Sequence, residues 1–384
     1  EDRKLYTYVP TFEEGLWGLD TIAARQAWTR KFDLNQNGLW ENGEKLPGEG
    51  VLVAVIDDGI DWNHPDLFSQ IWVDPRKADD FNRNGRLDLL DLDGLTRNEL
   101  GFYEWKKELQ DGRVSNEELG LVTDLSREDA LGLHFAVNNR PSSDHGTSVA
   151  GIIGARTLKE EGMTGVAFGA RLMPVQISNE EDTWGDLDVI AGMKYAVDNG
   201  ADVLNLSLGS TVYAGTELYK LFQDVVDYAY TNKSIVVVSA GNENHYPRFS
   251  DPPASLERVI TVAAIDPDLK RSSFSNYGFN VEIAAPGNHG ISTKPGGGYG
   301  RFSGTSMAAP HVSGAVAVIR SLYPEATYEE IVQRLAQSAT PYESEYYLGP
   351  GILNLDGALD AAPSRSAQGE ILLRDLERLS TRLL

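Results

Sequence analysis

The chain has 384 residues, 41% of them apolar, no cysteine and a formal net charge of −23. The apolar share suffices for a packed core and excludes global disorder, and the lack of cysteine excludes disulfides and thiolate chemistry. The acidity argues against nucleic acid or an anionic membrane surface as a partner.

The first residues, Glu1-Asp2-Arg3-Lys4, have no initiator Met and no apolar h-region, as expected of a processed or truncated form without a signal peptide. Residues 33–44 match the loop pattern D-x-[DN]-x-[DN]-G-x5-E. Candidate ligands are the side chains of Asp33, Asn35, Asn37 and Glu44 and the backbone carbonyl of Leu39, with Gly38 at the sharp turn. A related loop at 80–91 offers Asp80, Asn82, Asn84, the Arg86 carbonyl, Asp88 and Asp91. Hard oxygen ligands point to Ca²⁺ as the cofactor, and its expected role is to pin irregular segments.

From residue 50 the pattern alternates strands and helices. Apolar runs of strand length lie at 51–56, 170–177, 201–208, 234–240, 259–265 and 281–285. Continuous runs of this kind suit a parallel sheet buried on both faces. Residues 186–199 and 217–230 show helical spacing, the first stopped by Gly200. The fold class expected is α/β, doubly wound, with a mainly parallel central sheet flanked by helices. One catalytic domain is expected over 1–362, with a charged surface insertion at about 67–140. An amphipathic helix at 363–384 follows, with Leu372, Leu376, Leu379 and Leu383 on one face. The most apolar long stretch, 302–319, carries Pro310, His311 and several Ser and Gly, too polar for a membrane span.

Three short blocks carry the chemistry. In VIDDGID a buried strand ends in Asp57, a carboxylate able to orient an imidazole. In HGTSVAG, His145 opens a helix of small residues. In GTSMAAPHVSG, Ser306 stands at a helix start, where free N–H groups favour a developing oxyanion, and Pro310 is expected in the first turn.

These blocks, in the order Asp, His, Ser, resemble the signature segments of the subtilisin family of serine proteases. The resemblance implies a serine endopeptidase acting on protein or peptide substrates, with Asp57, His145 and Ser306 as the triad. It implies Asn242, in the segment SAGNE, as the oxyanion donor, and Ser207, Leu208 and Gly209 as the strand that pairs with substrate. Glu243 would stand at the S1 rim. Asp58 fills a place where bacterial members usually have Thr or Ser and convertases have Asp. It is either an acid near S2 favouring Lys or Arg, or a structural turn acid. The resemblance also makes an inhibitory propeptide a candidate partner. Calcium loops suit an extracellular location, and acidic intracellular subtilisins without disulfides make a cytoplasmic one the alternative. A catalytically silent scaffold is the competing functional class.

Overall fold

The computed structural model describes residues 16–33, 44–72, 143–157, 162–178, 183–246 and 252–362, and the backbone of two short strands at 95–97 and 103–105. Two short helices, α1 (Trp17–Thr21) and α2 (Ala24–Lys31), precede the sheet. The strands of the central sheet are β1 (Leu52–Asp57), β4 (Arg171–Gln176), β5 (Val203–Leu206), β6 (Ile235–Ser239), β7 (Val259–Ile265) and β8 (Ile283–Pro286). They lie in the order β4–β1–β5–β6–β7–β8, and every neighbouring pair is parallel. Each expected apolar run is one of these strands. Two short strands outside this sheet, β2 (Leu95–Arg97) and β3 (Tyr103–Trp105), pair antiparallel with each other.

The sheet is buried on both faces because successive side chains leave a strand on opposite sides. Val53, Val55, Val203 and Val237 join one core, with Val149, Val312 and Val316 from the helices α3 (His145–Gly154) and α6 (Thr305–Leu322). Ala54, Ile56, Leu204 and Val238 join the other, with Met193 and Phe222 from α4 (Asp186–Asp198) and α5 (Glu217–Thr231). In a doubly wound sheet ligands sit beyond the carboxyl ends of the strands. Asp57, Ser207 and Asn242 all lie at or just past such ends.

A hairpin of β9 (Gly290–Lys294) and β10 (Gly298–Phe302) clamps the turn that follows β1. Asp61 Oδ2 accepts the Gly296 N–H at 2.7 Å, the Tyr299 hydroxyl donates to Asp66 at 2.7 Å, and His64 Nε2 bonds the Gly298 carbonyl at 3.0 Å. Helix α3 lies directly on this hairpin. A Cβ on Gly151 would come within 2.3 Å of Thr293 Oγ1, so the expected small-residue packing is realised here.

Residues 67–72 belong to the core and not to an insertion. Leu67, Phe68 and Ile71 are buried, and the Trp72 N–H donates to the Leu172 carbonyl at 2.7 Å. Asn35, Asn37 and Leu39 of the first candidate calcium loop lie outside the described residues. So do Asp80, Asn82, Asn84, Arg86 and Asp91 of the second, and the expected helix at 363–384. Among the described residues, no helix is long and apolar enough to cross a membrane.

Candidate active site

Asp57 ends β1 with its side chain 4% exposed. Its Oδ1 receives the Asp58 backbone N–H at 2.9 Å and lies 2.8 Å from His145 Nδ1. Its Oδ2 is buried and has no protein hydrogen bond. A carboxylate only accepts, so Nδ1 carries the proton and Nε2 of a neutral His145 is left with its lone pair. The imidazole is 37% exposed, within reach of a ligand. The close approach of α3 to β1 depends on Gly146. A Cβ there would stand 2.3 Å from the Gly59 carbonyl oxygen and 2.7 Å from Asp58 Oδ1.

Ser306 is the second residue of α6. Its hydroxyl donates to the Ser207 carbonyl at 3.1 Å, while the Ser207 hydroxyl donates back to the Ser306 carbonyl at 2.8 Å. Pro310 is the reason that carbonyl is available. It sits in the second turn of α6, not the first as expected, and has no N–H to give the carbonyl four residues earlier. Ser207 supplies the missing donor. Ser207 is itself held by Asn205 Nδ2 at 3.0 Å, and Asn205 Oδ1 accepts the Ser313 hydroxyl at 2.8 Å. The first turns of α3 and α6 also meet, with Ser148 Oγ 3.7 Å from Met307 Sδ.

Asn242 follows β6 and is exposed. Its Oδ1 accepts the Thr305 N–H at 2.8 Å and the Thr305 hydroxyl at 3.0 Å, which turns Nδ2 the other way. The position that a Cβ on Gly304 would take lies 3.6 Å from the Ser306 backbone nitrogen and 3.7 Å from Asn242 Nδ2. The two nitrogens therefore lie near the same point beside the serine.

The other sequence-derived residues divide. Past the end of β5, Ser207 is buried, Leu208 half-buried and Gly209 exposed. Glu243 is exposed beside Asn242, and its Oε2 accepts from Asn276 Nδ2 at 2.7 Å. Asp58 departs from the substrate-facing reading. It is 3% exposed, accepting the Gly146 N–H at 2.7 Å and the Ser143 hydroxyl. Its burial, under the start of α3, favours the alternative of a structural turn acid.

Asn276 went unnoticed in the sequence. It is 1% exposed and organises the whole 240–245 loop. Its Oδ1 accepts from the backbone of Glu243 and His245, each at 3.1 Å, and its Nδ2 donates to the Ala240 carbonyl at 2.9 Å. No local motif marks it. The nearby His311 does not compete as a base: burial pushes it down to about 4, and its Nδ1 is bonded to the Met307 carbonyl.

Among the described residues no cluster of three or more His, Asp or Glu is arranged to hold a metal ion. Of the first candidate loop only the ends are described. Asp33 is 2% exposed, shortly after the end of α2, and Glu44 is half-buried.

The model of the subtilase family matches residues 48–358 of the chain. The chain belongs to the subtilase family. This subtilase is 38% identical to a subtilisin of Bacillus pumilus over 313 residues, which is 81% of this chain and 91% of that one. Subtilisin DY of Bacillus licheniformis is 36% identical over 222 residues, covering 57% of this chain and 79% of the relative. A solved structure of fervidolysin from Fervidobacterium pennivorans, described as a keratinolytic enzyme related to subtilisin, matches with a TM-score of 0.63 at 27% identity. That match covers 91% of this subtilase and 46% of fervidolysin, so the chain spans less than half of that relative. The family and these relatives make the subtilase a serine endopeptidase.

Proposed function

We propose that this endopeptidase cleaves peptide bonds through Asp57, His145 and Ser306, with Asn242 and the Ser306 N–H as oxyanion donors. The observation that carries the reading is the nearness of Asn242 Nδ2 and the Ser306 nitrogen to one point beside Gly304 and the Ser306 side chain. The Asp57–His145 pair at 2.8 Å supports it.

Attack begins when the Ser306 hydroxyl turns from the Ser207 carbonyl and passes its proton to His145 Nε2. Oγ bonds the scissile carbonyl carbon, and the carbonyl oxygen, now negative, takes hydrogen bonds from Asn242 Nδ2 and the Ser306 N–H. His145 then gives the proton to the leaving amine, and Asp57 stabilises the imidazolium throughout. Water, deprotonated by His145, hydrolyses the acyl-enzyme. Substrate pairs as an added strand along Ser207, Leu208 and Gly209, with Glu243 at the rim of the pocket.

The same reading takes in calcium. The all-oxygen donor set of Asp33, Asn35, Asn37, Leu39 and Glu44 fits that ion, and the burial of Asp33 suits a first ligand. Asp80, Asn82, Asn84, Arg86 and Asp91 would form the second site. The ion would hold loops and takes no part in the chemistry. An extracellular setting and an inhibitory propeptide complete the proposal, and the charge of −23 speaks against a nucleic-acid partner.

Labelling with a fluorophosphonate tests the assignment. The parent is expected to be labelled at Ser306 and to hydrolyse peptide amides. Ser306→Ala is expected to lose both label and turnover while still binding peptide. A Ser306→Ala variant with full activity would overturn the triad, and an unlabelled, inert parent would favour the silent scaffold.

A further inference from the structure

Helix α3 starts at the proposed base, and its own N-cap residue, Asp144, makes no side-chain cap. The side chain of Asp144 is instead paired with Lys294 of β9 at 3.0 Å. The N–H groups of the first turn are served from outside the helix. Asp58 Oδ1 accepts the Gly146 N–H at 2.7 Å. Asp58 Oδ2 accepts the hydroxyl of Ser143, and Ser143 Oγ accepts the His145 N–H at 3.1 Å. The first two N–H groups of α3 are thus both tied, one directly and one through Ser143, to a single carboxylate. That carboxylate belongs to the residue following Asp57. Its own backbone is held at both ends, by the N–H to Asp57 Oδ1 at 2.9 Å and by the Ser178 hydroxyl to its carbonyl at 3.2 Å.

We propose that Asp58 is a positioning residue: it caps α3 from β1, fixes the backbone of His145 against Asp57, and so sets the aim of the imidazole. The proposal rests on the reading of His145 as the base. A carboxylate suits the place because a helix N-terminus carries unsatisfied donors and a partial positive charge. The tie acts on the backbone of His145, leaving its ring to Asp57. A substrate-binding role is disfavoured because Asp58 is 3% exposed.

The location also makes the cap sensitive to pH. Burial first, and then the charge of Asp57, push the Asp58 carboxyl up to about 7. The charged group acting on it is Asp57 at the end of β1, and its hydrogen bonds come from the Ser143 hydroxyl and the Gly146 N–H at the start of α3. As pH rises through the neutral range the cap becomes a full carboxylate, and both hydrogen bonds to it become charge-assisted and stronger.

The test compares Asp58→Ala, which removes both bonds, with Asp58→Asn, which keeps an oxygen for Gly146 and can donate to Ser143. Turnover is expressed per serine titrated with a fluorophosphonate, so misfolded protein is not counted. Asp58→Ala is expected to lower kcat about 10- to 100-fold with KM within about twofold, since a small misplacement of a catalytic group costs rate more than binding. Asp58→Asn is expected to recover most of that loss. It should also remove any dependence of kcat on the ionisation of this carboxyl, leaving a simpler rise through the neutral range than in the parent. The downfield Nδ1 proton resonance of His145 should persist in Asp58→Asn and shift or broaden in Asp58→Ala. Unchanged kcat in Asp58→Ala, or a raised KM at constant kcat, would overturn the proposal. A parent that does not titrate at all would instead overturn the reading of Ser306.

Discussion

The side-chain amide of Asn242 is split between two neighbours. Its oxygen is engaged by the backbone and hydroxyl of Thr305, and its nitrogen faces the space beside Gly304. On the proposed reading, Thr305 thereby determines which end of the amide would meet a substrate oxygen. A donor placed for an oxyanion strengthens only as charge develops, so its loss falls on turnover. Asn242→Ala is expected to lower kcat by about 100- to 1,000-fold with little change in KM, the size of effect already established for the equivalent donor in subtilisin. Steady-state kinetics decide it, and a rise in KM alone would make Asn242 a binding or turn residue. Asn242 was legible because it stands in a short recognisable segment after a strand. Asp58 was legible only as two alternatives. The groups that bury it, Ser143 and Gly146, lie 85 and 88 positions away.

At the scale of elements, α6 and the end of β5 are joined by an exchange that Pro310 makes possible. An ordinary residue at 310 would donate its N–H to the Ser306 carbonyl, and Ser207 would not be needed there. With proline present, the Ser207 hydroxyl, backed by Asn205 and Ser313, ties the first turn of α6 to the sheet. Asn205 and Ser313 are fully buried, so each loss leaves a buried polar group unpaired. Ser207→Ala is expected to cost about 1–3 kcal/mol of stability and to reduce kcat. Pro310→Ala in the Ser207→Ala background should restore a donor and return part of the loss. Thermal melting of the two variants and the double variant measures the coupling, and strictly additive effects would argue against the exchange.

For the whole molecule, the doubly wound sheet carries Asp57, residues 207–209 and Asn242 at or past the ends of neighbouring strands β1, β5 and β6, while α3 and α6 bring His145 and Ser306 from one face. Strand order alone makes neighbours of segments far apart in sequence. An ion bound only by the folded chain adds stability by mass action, about 2.7 kcal/mol at a hundredfold excess over its dissociation constant. Millimolar calcium is therefore expected to raise the melting temperature of the serine-inhibited enzyme by several degrees over the same protein in excess chelator. Equal melting temperatures would remove calcium from the proposed function.

Sequence by itself determined the elements and the family. Apolar runs bounded by turn residues mark strands buried on two faces, and helical spacing marks α4 and α5, because both signals are periodic and local. The three blocks around Asp57, His145 and Ser306 are local as well. Only the tertiary structure decided which end of the Asn242 amide is occupied, that Asp58 is buried against the start of a helix, that Asn276 organises the loop after β6, and that Pro310 hands the Ser306 carbonyl to Ser207. The physical reason is that a buried polar atom is defined by its partner. Here the partners are set by strand order and by how closely two glycine-bearing helices can approach the sheet and hairpin, neither of which any short stretch of sequence contains.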